Sequence, residues 1–408
     1  MVVICVPKMV FKSIQMNTKP KLIRITTVPI SMNIILKGQL AFINQYFEVI
    51  GVSGYDEKHF NKIEKREGIK MHQIEMARNI SVFKDLRALW KLYFFLKKEK
   101  PSIVHTHTPK AGLLGMMASK IANVPIRLHT VGGIPQIELK GWKRAILNFT
   151  EKLTYRFANK VYPNSVGLKD LILDMGYCDK TKLKVLANGS SNGVNIDYFA
   201  PNFVENTIAY KTKLRRDIGL EDKDIVFLFV GRIAHDKGIN ELVEAFERLT
   251  IEQFSNAKLV LIGPFEKDYG ILDSRTKVVL EENKNIKLLG RYDDVRPYYL
   301  ISDIFVLPTY REGFPNAVLE AQSMGLPCIV TNINGCNEII QHKHNGLIVP
   351  VKDSMALHNA MKILLDDENY RLKLASFSRQ NIVKKYKQDI IWNALLEEYN
   401  TMLEGKMK

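Results

Sequence analysis

The chain has 408 residues, of which 46% are hydrophobic and 25% charged, and its formal net charge is +16. This composition supports more than one buried core and excludes fibrous, collagen-like and globally disordered classes. It has no run of 18 apolar residues, so we expect no transmembrane helix, and its four cysteines without C-x-x-C spacing favour a reduced, cytoplasmic setting.

The first predicted segment is an irregular extension over residues 1–19. Its short apolar run is interrupted by Pro7, Lys8 and Lys12, and no small-residue cleavage site follows. A secretory signal peptide would need a longer apolar stretch. We therefore expect residues 1–15 to be an irregular or superfluous extension.

Residues 20–200 are predicted to form an acceptor-binding, Rossmann-like domain. Short apolar runs alternate there with stretches of helical period such as 81–98 and 110–122. This alternation predicts βαβ units, in which helices cover both faces of a parallel sheet. The predicted strands are 22–28, 48–52, 70–74, 103–106, 126–130, 160–163 and 184–187.

Positive charge is concentrated in the N-terminal half of the chain. Residues 1–200 carry a balance of +17, whereas residues 201–408 carry −1. The asymmetry indicates an anionic partner, which could be an acidic membrane surface, a phosphorylated ligand or nucleic acid. The basic, aromatic stretch 81–100 and the segment Lys140-Gly-Trp142-Lys143-Arg144 predict peripheral attachment to the inner face of the cytoplasmic membrane. The alternative is a packed helix with a solvated cationic face.

Histidines follow two of the predicted strands. His105 and His107 share a strand face, but no acidic residue lies near enough in sequence to complete a metal site. His129 ends the next strand, just before Gly132 and Gly133. Ligands of doubly wound sheets bind outside the carboxyl ends of the strands, so these positions are candidates for a site. A merely packed or solvated His129 is the alternative.

Residues 201–222 are predicted to connect two domains, because 188–224 is rich in Asn, Gly, Ser and charge. A second Rossmann-like domain is predicted over 223–385, and a helix over 386–408 is expected to pack back toward the first domain. Its predicted strands are 225–230, 258–262, 286–289, 304–307, 328–331 and 347–349. Its predicted helices are 239–254, 295–301, 315–324 and 354–366, followed by a helical stretch over 369–403.

Two glutamates follow the predicted strand 304–307. Glu312 precedes Gly313 and Pro315, and Glu320 lies inside the predicted helix that Pro315 starts. The free amides at a helix start suit a diphosphate, and carboxylates accept hydrogen bonds from vicinal hydroxyls. The pair therefore predicts a site that holds a ribose and a second sugar, with two solvated glutamates as the alternative.

A cationic segment follows the predicted strand 225–230. It reads Gly231-Arg232-Ile-Ala-His-Asp-Lys237-Gly238. Arginine grips phosphate oxygens in a fork, and lysine adds a mobile point charge. Together they could neutralise a departing nucleoside diphosphate without a metal. The D-x-D sequence at Asp222 and Asp224 precedes its strand, so we interpret it as a polar turn.

With these two segments the chain resembles the retaining GT-B glycosyltransferases with an E-x7-E motif, which are family 4-like and typical of capsule, O-antigen and lipid-linked glycan synthesis. The resemblance extends from about residue 22 to the end. It implies two Rossmann-like domains facing a central cleft, followed by C-terminal helices. Residues 188–195 look like the linker segment of that family, with Asn195 in place of its usual acid. Lys37-Gly38 stands where many members carry Gly-Gly.

The resemblance implies retaining transfer of a hexose or N-acetylhexosamine from a nucleoside diphosphate sugar, with UDP as the expected nucleotide, to an undecaprenyl-diphosphate-linked saccharide. No metal or other cofactor is expected, and the leaving phosphate helps to take the acceptor proton. The implied catalytic residues are His129, Arg232, Lys237 and Glu312. The implied donor-binding residues are Gly231, Arg232, Lys237, Arg291, Glu312, Gly313, Phe314, Pro315, Asn316 and Glu320. The residues expected on the acceptor side are Lys37, Gly38, His107 and Lys110.

Other classes fit the sequence less well. A nicotinamide dehydrogenase would need G-x-G-x-x-G after a strand, and a P-loop enzyme would need G-x-x-x-x-G-K-[ST]; neither occurs. A basic nucleic-acid-binding protein remains the alternative outside the enzymes, although no zinc-finger spacing or RNA-binding aromatic motif is present. Within the enzymes, the alternative is a transferase that acts on a soluble glucan or a small-molecule acceptor.

Overall fold

The structure is a computed structural model that describes residues 19–77, 81–134, 140–252, 254–266 and 271–407. The extension predicted over residues 1–15 lies outside the described residues. Within the described part, no helix is both long and apolar enough to cross a bilayer.

Two six-stranded parallel sheets form the molecule, which confirms the predicted α/β fold with two Rossmann-like domains. Their strand orders are β3-β2-β1-β4-β5-β6 and β12-β11-β10-β7-β8-β9. In each sheet the order of the strands therefore reverses beside the first strand, at β1 and at β7. The strands are β1 Lys21–Ile25, β2 Glu48–Ser53, β3 Lys70–Gln73, β4 Ile103–His107, β5 Ile126–Val131, β6 Lys160–Pro163, β7 Ile225–Val230, β8 Ala257–Ile262, β9 Ile286–Gly290, β10 Ile304–Leu307, β11 Cys328–Thr331 and β12 Gly346–Val349.

Helices follow most strands, as the alternating sequence pattern predicts. Side-chain N-caps begin several of them. At the start of α7 (Val166–Asp174), for example, the Ser165 hydroxyl accepts a hydrogen bond from the backbone N–H of Leu168. The helices are α1 Pro29–Ile35, α2 Gln39–Asn44, α3 Glu57–Glu67, α4 Val82–Glu99, α5 Pro109–Ile121, α6 Gly141–Phe157, α7 Val166–Asp174, α8 Thr207–Asp217, α9 Ile239–Ile251, α10 Ser274–Glu282, α11 Arg296–Ile301, α12 Asn316–Ser323, α13 Cys336–Ile339, α14 Ser354–Asp366, α15 Glu368–Lys385 and α16 Gln388–Met407.

One predicted strand is wrong. Residues 184–187 run as irregular chain after an isolated bridge between Val161 and Leu183. Ala187 has a φ of 48°, a left-handed value that a β-branched or extended strand position does not adopt. The first sheet therefore ends at β6, and the chain turns away toward the second domain.

Separate cores support the two sheets. One large cluster of buried apolar residues fills the second domain, and the first domain has a cluster on each face of its sheet. The last helix, α16, contributes Leu395, Leu396 and Tyr399 to one of those first-domain clusters. The C-terminal end of the chain is therefore part of the first domain's core.

The chain crosses between the domains twice, and the two crossings are hydrogen-bonded to each other. The backbone N–H of Val194 donates to the carbonyl of Tyr386 at 2.9 Å, and that of Gln388 donates to the carbonyl of Val194 at 3.2 Å. Helix α8, which falls in the stretch 201–222, packs on α11 of the second domain. The crossing itself therefore lies before α8, near Val194.

Candidate active site

A cleft of about 690 Å³ lies between the carboxyl ends of the two sheets. The first domain lines it with residues that follow β4 and β5, and the second domain lines it with residues that follow β7, β10 and β11. This is the edge at which doubly wound sheets bind ligands. The volume falls within the range of pockets that enclose a small-molecule substrate.

Glycines allow the two walls to meet at the rim of this cleft. A Cβ at Gly313 would lie 1.7 Å from the carbonyl oxygen of Gly132, and one at Gly335 would lie 2.6 Å from the carbonyl of Gly313. Any side chain at Gly313 would therefore push the domains apart. The contact brings the loop after β10 directly against the loop after β5.

Opposite charges face each other on the second-domain wall. The ammonium group of Lys237 donates to the carboxylate of Glu312, and both side chains line the cleft. Gly238, with a φ of 69°, starts α9 at a point where a Cβ would lie 2.0 Å from the carbonyl oxygen of Pro308. This close approach holds Lys237 against the loop that carries Glu312.

A second charged group adjoins this pair. The buried carboxylate of Asp236 accepts from the guanidinium of Arg232 at 3.2 Å and lies 3.5 Å from that of Arg311. All three line the cleft. Sequence reasoning identified Arg232 but missed Asp236 and Arg311, although each is adjacent in sequence to a residue that it singled out. Three cations and two carboxylates therefore occupy one wall.

Glu320 lies apart from this cluster and does not line the 690 Å³ cleft. Its carboxylate accepts from the hydroxyl of Tyr299 at 3.0 Å. Desolvation raises the pKa of Glu320 to about 7, although the Tyr299 hydrogen bond and the charge of Lys37 act in the opposite direction. Lys37 comes from the first domain and lies over the ring of Tyr198, 4.9 Å from its centroid. Glu320 and Lys37 thus face each other across the domain boundary.

The turn between β10 and α12 contributes further lining. Gly313, Phe314 and Asn316 line the cleft, whereas Pro315 is the buried N-cap residue of α12 and does not. Of the remaining predicted donor residues, Gly231 directly follows β7 and does not line the cleft, and Arg291 is exposed directly after β9. The structure therefore does not bring Arg291 into this site.

Three predictions on the first-domain side need correction. His129 is buried, hydrogen-bonds Thr106 at 2.8 Å and packs 2.5 Å from where a Gly112 Cβ would lie, so it does not line the cleft. Burial lowers the pKa of His129 to about 4. Lys110 forms an ion pair with Asp85 at 2.5 Å and is also outside the lining. Gly38 is the N-cap residue of α2, lies against Trp392 and is likewise outside the lining.

His107 is the histidine that does line the cleft. Its Nε2 lies 2.7 Å from the guanidinium of Arg24, which is fully buried. Asn164 and Thr130 line the same wall. No sequence pattern singles out Arg24 or Asn164, because a single charged or polar residue at a strand end is common.

Across the described ranges, no group of three His, Cys, Asp or Glu side chains is placed to hold a metal ion. Cys328 and Cys336 are both buried, and Cys328 lies 3.3 Å from the side-chain amide of Gln322. His105 and His107 stack on each other with ring centroids 4.6 Å apart. Both belong to the hydrogen-bond network that surrounds Arg24.

Both halves of the chain match known protein families. Residues 210–381 match the family of glycosyl transferases group 1, and residues 47–189 match the glycosyl transferase 4-like domain. The chain is 33% identical over 390 residues to the capsular polysaccharide biosynthesis glycosyltransferase CapM of Staphylococcus aureus, which covers 95% of this chain and 99% of that protein.

A second relative is the UDP-Gal:alpha-D-GlcNAc-diphosphoundecaprenol alpha-1,3-galactosyltransferase of Escherichia coli. It is 34% identical over 302 residues, which cover 72% of this chain and 74% of that protein. Among solved structures, Anabaena Alr3699/HepE in complex with UDP and glucose superimposes with a TM-score of 0.79 at 17% identity, over 93% of this chain and 99% of that chain. This last likeness concerns the fold alone.

Proposed function

Because the chain belongs to the group 1 glycosyl transferases, we propose that it moves a hexose or N-acetylhexosamine from a UDP-sugar to a polyprenyl-diphosphate-linked saccharide during cell-surface polysaccharide assembly. The observation that carries this proposal is the similarity to the capsular enzyme over nearly the whole of both chains. The Escherichia coli relative supports the donor and acceptor classes, since its name specifies UDP-galactose and a diphosphoundecaprenol-linked sugar.

The charged wall supports a role in donor binding. Arg232, Lys237 and Arg311 lie together on the cleft, where a diphosphate would bring negative charge. Charge-assisted hydrogen bonds from such groups are strong, and they would stabilise the departing nucleotide. In this proposal, these side chains neutralise the leaving group, and no metal ion is required.

Each glutamate has its own role in the proposal. Glu312 accepts hydrogen bonds from hydroxyls of the transferred sugar and keeps Lys237 oriented through their ion pair. Glu320 accepts the ribose hydroxyls at a second position, next to Tyr299. Transfer proceeds with retention, and the leaving phosphate takes the acceptor proton on the same face. Protein groups then contribute positioning and charge stabilisation.

Nucleotide binding and transfer can be tested separately. We expect UDP to raise the thermal midpoint of the protein more than GDP or ADP, because a ligand specific for the folded state stabilises it by mass action. We expect Glu320→Ala to reduce that increase. If none of the three nucleotides stabilises the protein at millimolar concentration, the donor site is wrong.

Transfer is then measured with UDP-sugars and a short-chain polyprenyl-diphosphate-linked N-acetylglucosamine. The expected product is lipid-linked and keeps the α configuration of the donor, which the anomeric proton coupling in NMR reports. A β-linked product contradicts retention. Release of a soluble glucan, with no lipid-linked product, would favour the alternative acceptor class.

Membrane attachment is part of the proposal. Helix α4 exposes apolar side chains at helical spacing, including Phe83, Leu86 and Trp90, and α6 exposes Trp142 and Phe149 in the same way. Both helices pack on α5, so the two apolar stripes flank one helix on the same face of the first domain. Exposed lysines and arginines lie between these side chains: Lys84, Arg87, Lys91 and Lys143. Aromatic and basic side chains together suit the interface of an anionic bilayer.

Sedimentation with vesicles tests this attachment. We expect binding to vesicles that contain anionic lipid and loss of binding in the double variant Trp90→Ser/Trp142→Ser. The matched control is Ile208→Ser, since Ile208 is 81% exposed on α8 of the second domain. Equal loss in the control, or no binding of the unaltered protein at low salt, contradicts the proposed surface.

A further inference from the structure

Arg24 is a fully buried cation whose hydrogen-bonding partners among the described residues are all neutral. On β1, its guanidinium donates to the hydroxyl of Tyr399 at 2.8 Å, to Oε1 of Gln39 at 2.8 Å and to Nε2 of His107 at 2.7 Å. Its exposed fraction is 0%, and desolvation lowers its pKa. Burying a charge costs free energy unless it is hydrogen-bonded. The groups around Arg24 are therefore held in the orientation in which they accept its hydrogen bonds.

The direction of the hydrogen bonds can be worked out from Arg24, because a guanidinium only donates. The Tyr399 hydroxyl accepts from Arg24, and its other described partner is Nδ1 of His105, 2.6 Å away, so its single hydrogen is satisfied only when it is directed to that nitrogen. His105 then carries its proton on Nε2 and donates to the hydroxyl oxygen of Thr130 at 2.8 Å. The hydrogen of the Thr130 hydroxyl is left to donate toward the cleft, which Thr130 lines.

Arg24 also determines which nitrogen of His107 carries the proton. Since its Nε2 accepts from Arg24, the neutral ring carries its proton on Nδ1, which has no hydrogen-bond partner within the described ranges. A second proton would place an imidazolium 2.7 Å from a guanidinium. Burial and Arg24 accordingly hold the pKa of His107 well below its usual value. His107 therefore offers the cleft a donor and cannot act as a general base from Nδ1.

An acceptor lies beside these two donors. Oδ1 of Asn164 is buried without a hydrogen-bond partner among the described residues, and the residue is 8% exposed. His107, Thr130 and Asn164 line both the cleft and a small cavity in front of Arg24. The wall thus presents two donors and one acceptor, and its cation is enclosed behind them. A sugar hydroxyl, which both donates and accepts, matches this set better than a phosphate, which only accepts.

We propose that His107, Thr130 and Asn164 form the subsite that holds hydroxyl groups of the acceptor's terminal sugar, and that Arg24 and Tyr399 are positioning residues that fix its hydrogen-bond polarity. The proposal rests on the proposed function, since it assumes a saccharide acceptor. It also gives α16 a role in the site, because Tyr399 lies on that helix. The first-domain wall of the cleft presents neutral groups to its ligand, whereas the second-domain wall presents cations.

Two substitutions of His107 separate its contacts. A glutamine amide reaches the position of Nε2, so His107→Gln keeps a partner for Arg24 but removes the donor at Nδ1. An asparagine amide reaches the position of Nδ1, so His107→Asn keeps a donor toward the cleft. We expect His107→Gln to raise the KM for the lipid-linked acceptor about tenfold, as for the loss of one hydrogen bond. His107→Asn is expected to restore part of that loss, and the KM for the UDP-sugar should change less than twofold in both.

Tyr399→Phe tests the positioning role. It keeps the ring, which packs on Phe47 and His105, but removes the hydroxyl that sets the tautomer of His105. We expect the acceptor KM to rise severalfold with the UDP-sugar KM unchanged. The matched control is Tyr177→Phe, which also loses a hydroxyl hydrogen bond, to Asn148 on α6, away from the cleft. Its acceptor KM should stay unchanged.

The outcomes are distinguishable from failure of the proposed function. If the unaltered protein transfers no sugar to any lipid-linked saccharide, the proposed function fails first. If it does transfer, but His107→Gln and Tyr399→Phe lower kcat or raise both KM values equally, the subsite proposal is overturned. The same holds if Tyr177→Phe raises the acceptor KM as much as Tyr399→Phe. Thermal midpoints of all variants check that each one is folded.

Discussion

The two walls of the cleft place positive charge in opposite ways. On the second-domain wall, Arg232, Lys237 and Arg311 face the cleft and are paired with carboxylates beside it. On the first-domain wall, Arg24 is enclosed, and neutral groups present hydrogen bonds in its place. The difference shows what each wall is suited to bind: accessible charge neutralises a diphosphate, whereas an enclosed charge orients neutral donors.

A buried arginine of the second domain, Arg215, has different partners from Arg24. Arg215 on α8 donates to the carbonyl of Ile301 at 2.7 Å and to the carboxylate of Asp303 at 2.8 Å, and further carbonyls surround it. In the part of the chain that the structure describes, no carboxylate accepts a hydrogen bond from Arg24. Arg215 therefore closes a structural ion pair at the end of the sheet away from the cleft, whereas Arg24 lies behind a ligand-binding wall.

The largest expected effect follows from that contrast. Arg215→Met leaves Asp303 and several buried carbonyls without their donor, so we expect it to lower the free energy of unfolding by about 4 kcal/mol. Arg24→Met leaves only neutral groups behind and should cost about 2 kcal/mol. Urea unfolding of both variants checks the order. An equal loss of stability in the two would show that the carboxylate partner does not distinguish them.

Removal of a positive charge from the second-domain wall should reduce kcat more than the free energy of unfolding. We expect Lys237→Met to lower kcat about a hundredfold, as for removal of one group that stabilises transition-state charge. The matched control is Lys258→Met, since Lys258 lies on β8 of the same sheet and pairs with Asp224 at 3.6 Å, away from the cleft. If Lys258→Met reduces kcat as strongly, the effect of Lys237 is not local to the cleft.

How much of this contrast could be predicted from the sequence depends on the kind of signal. The apolar runs of β7 and β10 predict the second sheet. Arg232, Lys237 and Glu312 follow those strands, so the local sequence pattern is sufficient to predict that they lie at the carboxyl edge of that sheet. The isolated arginine at position 24 has no such context. Its partners Gln39, His107 and Tyr399 come from distant parts of the chain, and only the packing of α16 on the first sheet brings them together.

His129 shows the limit of the reasoning from strand ends. It lies on β5, where alternate side chains point to opposite faces, and its side chain enters the helix-covered core beneath α5. Thr130, the next residue, points the other way and reaches the cleft. A shift of one residue therefore decides between core and site, and the sequence alone did not resolve it.

The smallest expected effect concerns pH at the boundary between the walls. The pKa of Glu320 is about 7 in the unliganded protein, because desolvation outweighs the favourable contacts with Tyr299 and Lys37. The ionised carboxylate accepts hydrogen bonds from ribose hydroxyls, and protonation removes part of that capacity. From pH 8 to pH 6 the ionised fraction falls about tenfold, so the affinity for UDP should fall by at most about the same factor.

Glu320→Gln isolates this contribution, because glutamine does not titrate while UDP does. We expect the variant to bind UDP more weakly at pH 8 and to show only the pH dependence that UDP itself brings, as measured by calorimetry at both pH values. Identical slopes for the two proteins would mean that Glu320 does not change its protonation when UDP binds. A steeper slope for the unaltered protein would show that a titrating carboxylate contacts the nucleotide.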